Sequence, residues 1–127
     1  MNAKQSTVKA LKQVLKTGNS AHRCYAVQAL GKIKDSGTLE DLIHCLEDED
    51  EDVVIDAIGA LGELEDVRAV PLLLDCYRNI PSGEVKVAVV ESLGRIGGDP
   101  VVELLIEVLQ GRGEDIEWAT DGEWDDW

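Results

Sequence analysis

The sequence predicts an all-α chain, a right-handed α-solenoid of about 3.5 stacked two-helix repeats. Three observations carry the prediction. The phrase Ala29-Leu30-Gly31-Lys32-Ile33 returns as Ala60-Leu61-Gly62-Glu63-Leu64 and as Ser92-Leu93-Gly94-Arg95-Ile96, at spacings of 31 and 32 residues, and a fixed period of that size marks a repeat array. Apolar residues recur at helical period inside every unit. The hydrophobic share of 44% contains no Phe and is built from Leu, Val, Ile and Ala, which suits helix packing better than a β-sandwich.

Each repeat reads as a helix A that carries the phrase near its end, a short turn, and a helix B. Residues 6–17 match a B helix with no A helix before it, so the chain opens on a half repeat, followed by repeats over 20–48, 51–80 and 83–111. The A helices are expected over 20–34, 52–65 and 83–96, and the B helices over 37–47, 67–79 and 100–110. One B stripe is written four times: Val8, Leu39, Val70 and Val102, then Leu11, Leu42, Leu73 and Leu105, then Leu15, Leu46, Tyr77 and Leu109. Those positions, i, i+3 and i+7, lie on one face of a helix. The A stripe repeats as His22, Val53 and Val85, as Ala26, Ala57 and Val89, as Leu30, Leu61 and Leu93, and as Ile33, Leu64 and Ile96.

Cap chemistry places the boundaries. Ser20 and Ser82 are candidate caps of two A helices, Asp35 and Asp66 stand in the A-to-B turns, and Asp99 precedes Pro100 at the predicted start of the last B helix. Gly18, Gly83, Gly97, Gly98 and Gly111 fall at junctions, where a left-handed backbone is often needed. Gly31, Gly62 and Gly94 lie inside helices, where glycine costs about 1 kcal/mol relative to alanine. Their recurrence predicts a neighbouring helix too close for a Cβ. A single pair of short amphipathic helices cannot bury its own apolar face, so the units must stack.

The three cysteines, Cys24, Cys45 and Cys76, are odd in number and lack the paired spacing of a zinc site. They are expected to be small core residues of a protein kept in a reducing compartment. Net charge is −14, but unevenly spread: residues 1–34 hold seven Lys or Arg and no acid, and the rest holds five basic and twenty-six acidic residues. That balance argues against nucleic acid and anionic membrane surfaces, which are bound through Lys and Arg. A basic protein partner is favoured electrostatically, and the same charge serves plain solubility. No apolar run approaches the roughly 18 residues that span a bilayer, and residues 1–16 lack the apolar core of a signal peptide. A cytoplasmic location is the expectation.

The segment Asp66-Val67-Arg68-Ala69-Val70-Pro71-Leu72-Leu73-Leu74, preceded by Ala57-Ile58-Gly59-Ala60-Leu61-Gly62, resembles the HEAT-like repeat of the phycobilisome lyase type, in which an Ala-Leu-Gly helix end leads into an Arg-Ala-Val-Pro helix. The likeness extends over residues 6–111 and implies the fold. It does not single out a function, because repeats of this kind serve bilin lyases, hydroxylases, glycosylases and scaffolds. The His-Glu pairs of the di-iron hydroxylases are missing, since His22 precedes Arg23 and His44 precedes Cys45. The basic groove of the glycosylases is missing too. A bilin lyase subunit or a chaperone of a pigment protein remains open as an alternative, as does a structural fragment of a longer array.

No catalytic residue, cofactor site or metal site is expected. His22 sits at an apolar A position and reads as a core or boundary histidine, and His44 has no nucleophile or third ligand near it in sequence. The acidic run over residues 47–52 lacks the loop glycine and terminal glutamate of an EF-hand: counted from Asp48, Val53 and Gly59 stand there. Those acids better suit the positive end of the helix that follows. Opposite the B stripe lie Lys9, Gln13 and Lys16, then Glu40, His44 and Glu47, then Pro71, Asp75 and Arg78, then Glu103, Glu107 and Gln110. In the resembling family the B helices line the concave surface. Gln13, Glu40, His44, Glu47, Asp75, Arg78, Glu103 and Glu107 are therefore candidate protein-binding residues.

Residues 112–127 hold all three tryptophans and read either as a degenerate fourth A helix, with Ile116, Thr120, Trp124 and Trp127 on the stripe, or as an acidic tail. Trp118, Trp124 and Trp127 are further binding candidates, and exposure of that end would favour self-association. The functional expectation is a non-catalytic scaffold or adaptor that binds a partner protein on its B-helix face.

Overall fold

The computed structural model describes residues 2–110, and these form seven α-helices with no strand among them. In chain order they are α1 (Ala3–Thr17), α2 (Ser20–Ile33), α3 (Leu39–Cys45), α4 (Glu51–Leu64), α5 (Val70–Asn79), α6 (Gly83–Ile96) and α7 (Asp99–Leu109). Short 3-10 turns, Ser36–Thr38 and Val67–Ala69, lead into α3 and α5. The chain divides into two units, Met1–Ile96 and a second that begins at Gly97. Within the first, α2 packs on α4 and α4 on α6, so the A helices form a continuous row. The B helices do not form a second tight row. Instead α1 packs on α2, α3 on α4 and α5 on α6, each B helix covering the A helix that follows it.

This first unit is an all-α solenoid core, and the repeated stripes supply much of it, joined by Val27, Val54, Ile58, Ala60, Ala69 and Leu74 from outside the stripes. Leu30, Leu61 and Leu93 are buried, as are Ala26, Ala57 and Val89, Val53 and Val85, and on the B helices Val8, Leu39, Val70, Leu42 and Leu73. Two polar side chains join them with their bonds made. Thr38 Oγ1 donates to the Asp35 carbonyl at 2.6 Å and Ser92 Oγ donates to the Ile58 carbonyl at 2.8 Å, as burial of a hydroxyl demands.

Two stripe positions depart from expectation. His22 is exposed rather than on the seam, because α2 opens the A row and has only the B helix α1 before it. Val102 is exposed and Val101 buried. Helix α7 starts one residue earlier than the sequence suggests, and spacing the last B helix by 31 rather than 32 residues after Val70 restores Val101 to the stripe.

The glycines of the phrase divide by position. A Cβ on Gly31 would lie 2.9 Å from both Cα and Cβ of Ala60, and one on Gly62 would lie 2.6–2.8 Å from Oγ, Cβ and Cα of Ser92. These are contacts that no alanine tolerates without movement. Gly31 and Gly62 thus each receive the small residue two places before the phrase glycine of the next A helix. Gly94 meets nothing within 4 Å among the described residues, and neither does Gly59. The close-approach expectation holds for two of the three phrase glycines.

Caps are partly as predicted. Asp35 and Asp66 accept from the Gly37 and Arg68 backbone N–H groups at 2.8 and 2.9 Å, capping the 3-10 turns, and Ser82 Oγ accepts from the Val85 N–H at 3.3 Å. Asn19, not Ser20, caps α2, accepting from the His22 N–H at 2.9 Å, so Ser20 is the first helical residue. Asp99 likewise lies inside α7, where the Gly98 carbonyl accepts the Val102 N–H at 3.1 Å. Two A helices close on non-glycine residues in the left-handed region, Lys34 (φ 58°) and Glu65 (φ 56°). Gly18 is not left-handed (φ −76°); its lack of a side chain instead leaves room for the Val14 carbonyl and the His22 Cβ, which a Cβ there would approach to 2.8 and 2.9 Å. Gly111 lies outside the described residues.

Candidate protein-binding face

The acidic run resolves into separate structural tasks. Asp48 receives a fork from Arg23, with Nε and Nη2 donating at 2.8 and 3.0 Å, while Arg23 Nη1 donates to the Gly18 carbonyl at 2.8 Å. Asp48 Oδ1 also accepts the Asp50 N–H at 2.9 Å, and Asp50 caps α4 by accepting from the Asp52 N–H at 2.9 Å. Glu51 accepts from the Ser82 hydroxyl at 3.1 Å. The carboxylates turn the chain, start α4 and tie the first two repeat junctions together. Among the described residues no cluster of three or more His, Cys, Asp or Glu is arranged to hold a metal ion.

The Arg23 guanidinium holds the Asp48 carboxyl below the ordinary carboxylate range, aided by the Asp50 N–H and opposed by partial burial. A carboxylate with a depressed folded pKa adds stability that is present above its unfolded value, near pH 4, and lost as pH falls through the folded value. Urea melts at pH 7 and pH 3 should therefore show a smaller acid loss of stability in Arg23→Gln than in the parent chain. Equal losses would show that the fork contributes nothing across that window.

The cysteines are not poised for nucleophilic chemistry. Burial, followed by Asp56 as hydrogen-bond partner, pushes the Cys24 thiol up to about 11, and burial with Asp48 and Asp41 nearby pushes Cys45 up to about 11. Burial raises Cys76 as well. A thiol in that range stays protonated near neutrality. Cys45 and Cys76 are buried, whereas Cys24 is only half-buried, so the core assignment holds for two of the three.

The predicted ladder on the B helices is exposed throughout the first unit: Lys9, Gln13 and Lys16 on α1, Glu40 and His44 on α3 with Glu47 just beyond it, and Pro71, Asp75 and Arg78 on α5. In the second unit Glu103, Glu107 and Gln110 are exposed as well. Trp118, Trp124 and Trp127 lie outside the described residues. Two clefts run between the B helices of the first unit. One, about 220 Å³, separates α1 from α3 and is crossed by Lys12, whose Nζ lies 3.2 Å from Asp41 Oδ2 and donates to the Gly37 carbonyl at 3.2 Å. The other, about 200 Å³, separates α3 from α5 and has an apolar floor that includes Ile43, Leu46, Leu72 and Ile80.

Sequence reasoning missed this second cleft. Its signal is an apolar residue where the preceding units carry polar or small ones: Leu72 stands where Asp41 and Ala10 stand, and Ile80 where Glu49 and Gly18 stand. The A-helix side is different in kind. It is held by Gln28 donating to Asp56 at 2.9 Å and by the alternating charges of Lys32, Glu63 and Arg95, 3.9 and 3.8 Å apart. These five residues pair across the A helices, whereas most of the B-face ladder faces solvent.

No helix among the described residues is long and apolar enough to cross a membrane. No curated protein matches the chain. The family profile of HEAT repeats matches residues 7–86 and again residues 57–120, which is nearly the whole length, and the paired helices, the repeated core and the close A-helix row are what such a match requires. The chain belongs to the HEAT-repeat family.

Proposed function

We propose that this chain is a non-catalytic adaptor that holds a partner protein on its B-helix face. One observation carries the reading: the positions that repeat in register supply most of the buried core, while the positions that differ from unit to unit are exposed along α1, α3 and α5. A rigid repeated core with a variable outer ladder is the arrangement by which solenoids present extended binding surfaces. The ladder runs from basic on α1 to mainly acidic on α3, with Asp75 and Arg78 on α5, so a partner with a basic surface fits its acidic part. Glu103, Glu107, Trp118, Trp124 and Trp127 are further protein-binding candidates in their own right, and the C-terminal end would serve self-association.

The test is a pull-down from the source cells with partners identified by mass spectrometry, repeated with Glu40→Lys/Glu47→Lys. Capture of the main partner should fall at least tenfold in the double variant and weaken as salt rises from about 50 to 300 mM, since the screening length of exposed charges falls from about 14 to about 6 Å over that range. Capture that ignores both changes would sink the B-face reading.

The likeness of residues 57–74 to the phycobilisome lyase type of repeat supports a second reading, a bilin lyase subunit or pigment-protein chaperone. A covalent adduct formed on mixing the chain with bilin and a phycobiliprotein apo-subunit would displace the adaptor reading in its favour.

A further inference from the structure

The cleft between α3 and α5 differs from its neighbour in chemistry, and that difference names an occupant. Between α1 and α3 the gap is bridged by Lys12, which pairs with Asp41 and bonds the Gly37 carbonyl. Between α3 and α5 no such bridge exists among the described residues. Ile43, Leu46, Leu72 and Ile80 form its apolar floor, and the carboxylates of Glu47 and Asp75 stand at its rim, exposed and without a cationic partner among the described residues. A void of about 200 Å³ is of a size for one bulky apolar side chain, and its acidic rim favours cations on either side of it.

We infer that this cleft takes a basic peptide segment of a partner protein, one leucine or methionine seated between α3 and α5 with flanking Lys or Arg over Glu47 and Asp75. The inference rests on the B-face reading and sharpens it to one subsite. Charge alone would attract any polycation weakly. The apolar floor supplies the selectivity, because burying one such side chain is worth roughly ten- to a hundredfold in affinity. Arg78, the only Lys or Arg on the ladder of these two helices, lies one turn beyond Asp75 and opposes the flanking cations on that side.

The experiment uses the full chain and three fluorescein-labelled synthetic peptides: Gly-Lys-Lys-Leu-Lys-Lys-Gly, the same peptide with serine for leucine, and the same with glutamate for each lysine. Fluorescence anisotropy should show the leucine peptide binding at least tenfold more tightly than the serine peptide, and the glutamate peptide not at all. Leu72→Ser should remove most of the leucine advantage. Glu47→Gln/Asp75→Asn, at two exposed positions that leave the core intact, should weaken binding at least fivefold and flatten its salt dependence, and Arg78→Glu should tighten it. Equal binding of the leucine and serine peptides, or a leucine advantage untouched by Leu72→Ser, would overturn the inference. Amide chemical-shift mapping separates the two levels of failure: shifts elsewhere on α1, α3 and α5 with the cleft silent overturn the cleft alone, and shifts confined to the A helices overturn the B-face reading with it.

Discussion

Leu61→Ala is expected to destabilise the chain by about 2–5 kcal/mol, the range for removing a fully buried leucine from a packed core. Leu61 has no exposed surface and lies in the last turn of α4, the A helix flanked by A helices on both sides, α2 and α6. In a stack stabilised by nearest-neighbour interfaces, a cavity there weakens two interfaces at once. Against a total of about 5–15 kcal/mol for a domain, the loss is large enough to move the whole transition in a urea melt followed by circular dichroism. Val8→Ala makes the comparison: Val8 is the only buried residue of α1, which packs chiefly on α2, and its loss frays one helix. A midpoint shift for Leu61→Ala no larger than for Val8→Ala would show that the units do not couple through α4.

Gly62→Ala is expected to destabilise by about 1–3 kcal/mol, the cost of forcing a methyl group into a close-packed contact. It does so although alanine is the better helix former by about 1 kcal/mol. The new Cβ would meet Ser92 at 2.6–2.8 Å, including its backbone Cα, and the Ser92 hydroxyl is committed to the Ile58 carbonyl. Neither atom can swing aside, so α4 and α6 must move apart. Gly59→Ala, three residues earlier on the same helix, introduces a Cβ with nothing within 4 Å among the described residues and should stabilise by about 1 kcal/mol, from propensity alone. The opposite signs are the measurement. If both alanines stabilise, the phrase glycine has no packing role.

The repeat, the helix pairs and the core stripes were legible because burial in a stacked array imposes one period on every unit, and period survives in a linear string. His22 and Val102 show where that logic stops. His22 is on the stripe by alignment, but whether a stripe position is covered depends on which helix lies against it, and α2 has no A helix before it; Val102 rests on a spacing one residue too long, and Val101 takes the buried position. The left-handed closures at Lys34 and Glu65 were hidden because neither residue carries the glycine signature that such a backbone usually leaves. Exposure of the B-face ladder could be anticipated from helical geometry. The cleft between α3 and α5 could not, since it depends on the B helices lying apart while the A helices close on Gly31 and Gly62.

By itself the sequence determined the all-α class, the order of helices and most of the buried residues, because periodicity and cap chemistry act through residues near one another in the chain. Only the tertiary structure decided which phrase glycines are contacted, how the acidic run is divided between Arg23, the turn and the cap of α4, and where the apolar gap on the B face opens. Most of those outcomes turn on contacts between residues distant in the chain, such as Arg23 with Asp48 and Gly62 with Ser92, whose distances no local pattern encodes.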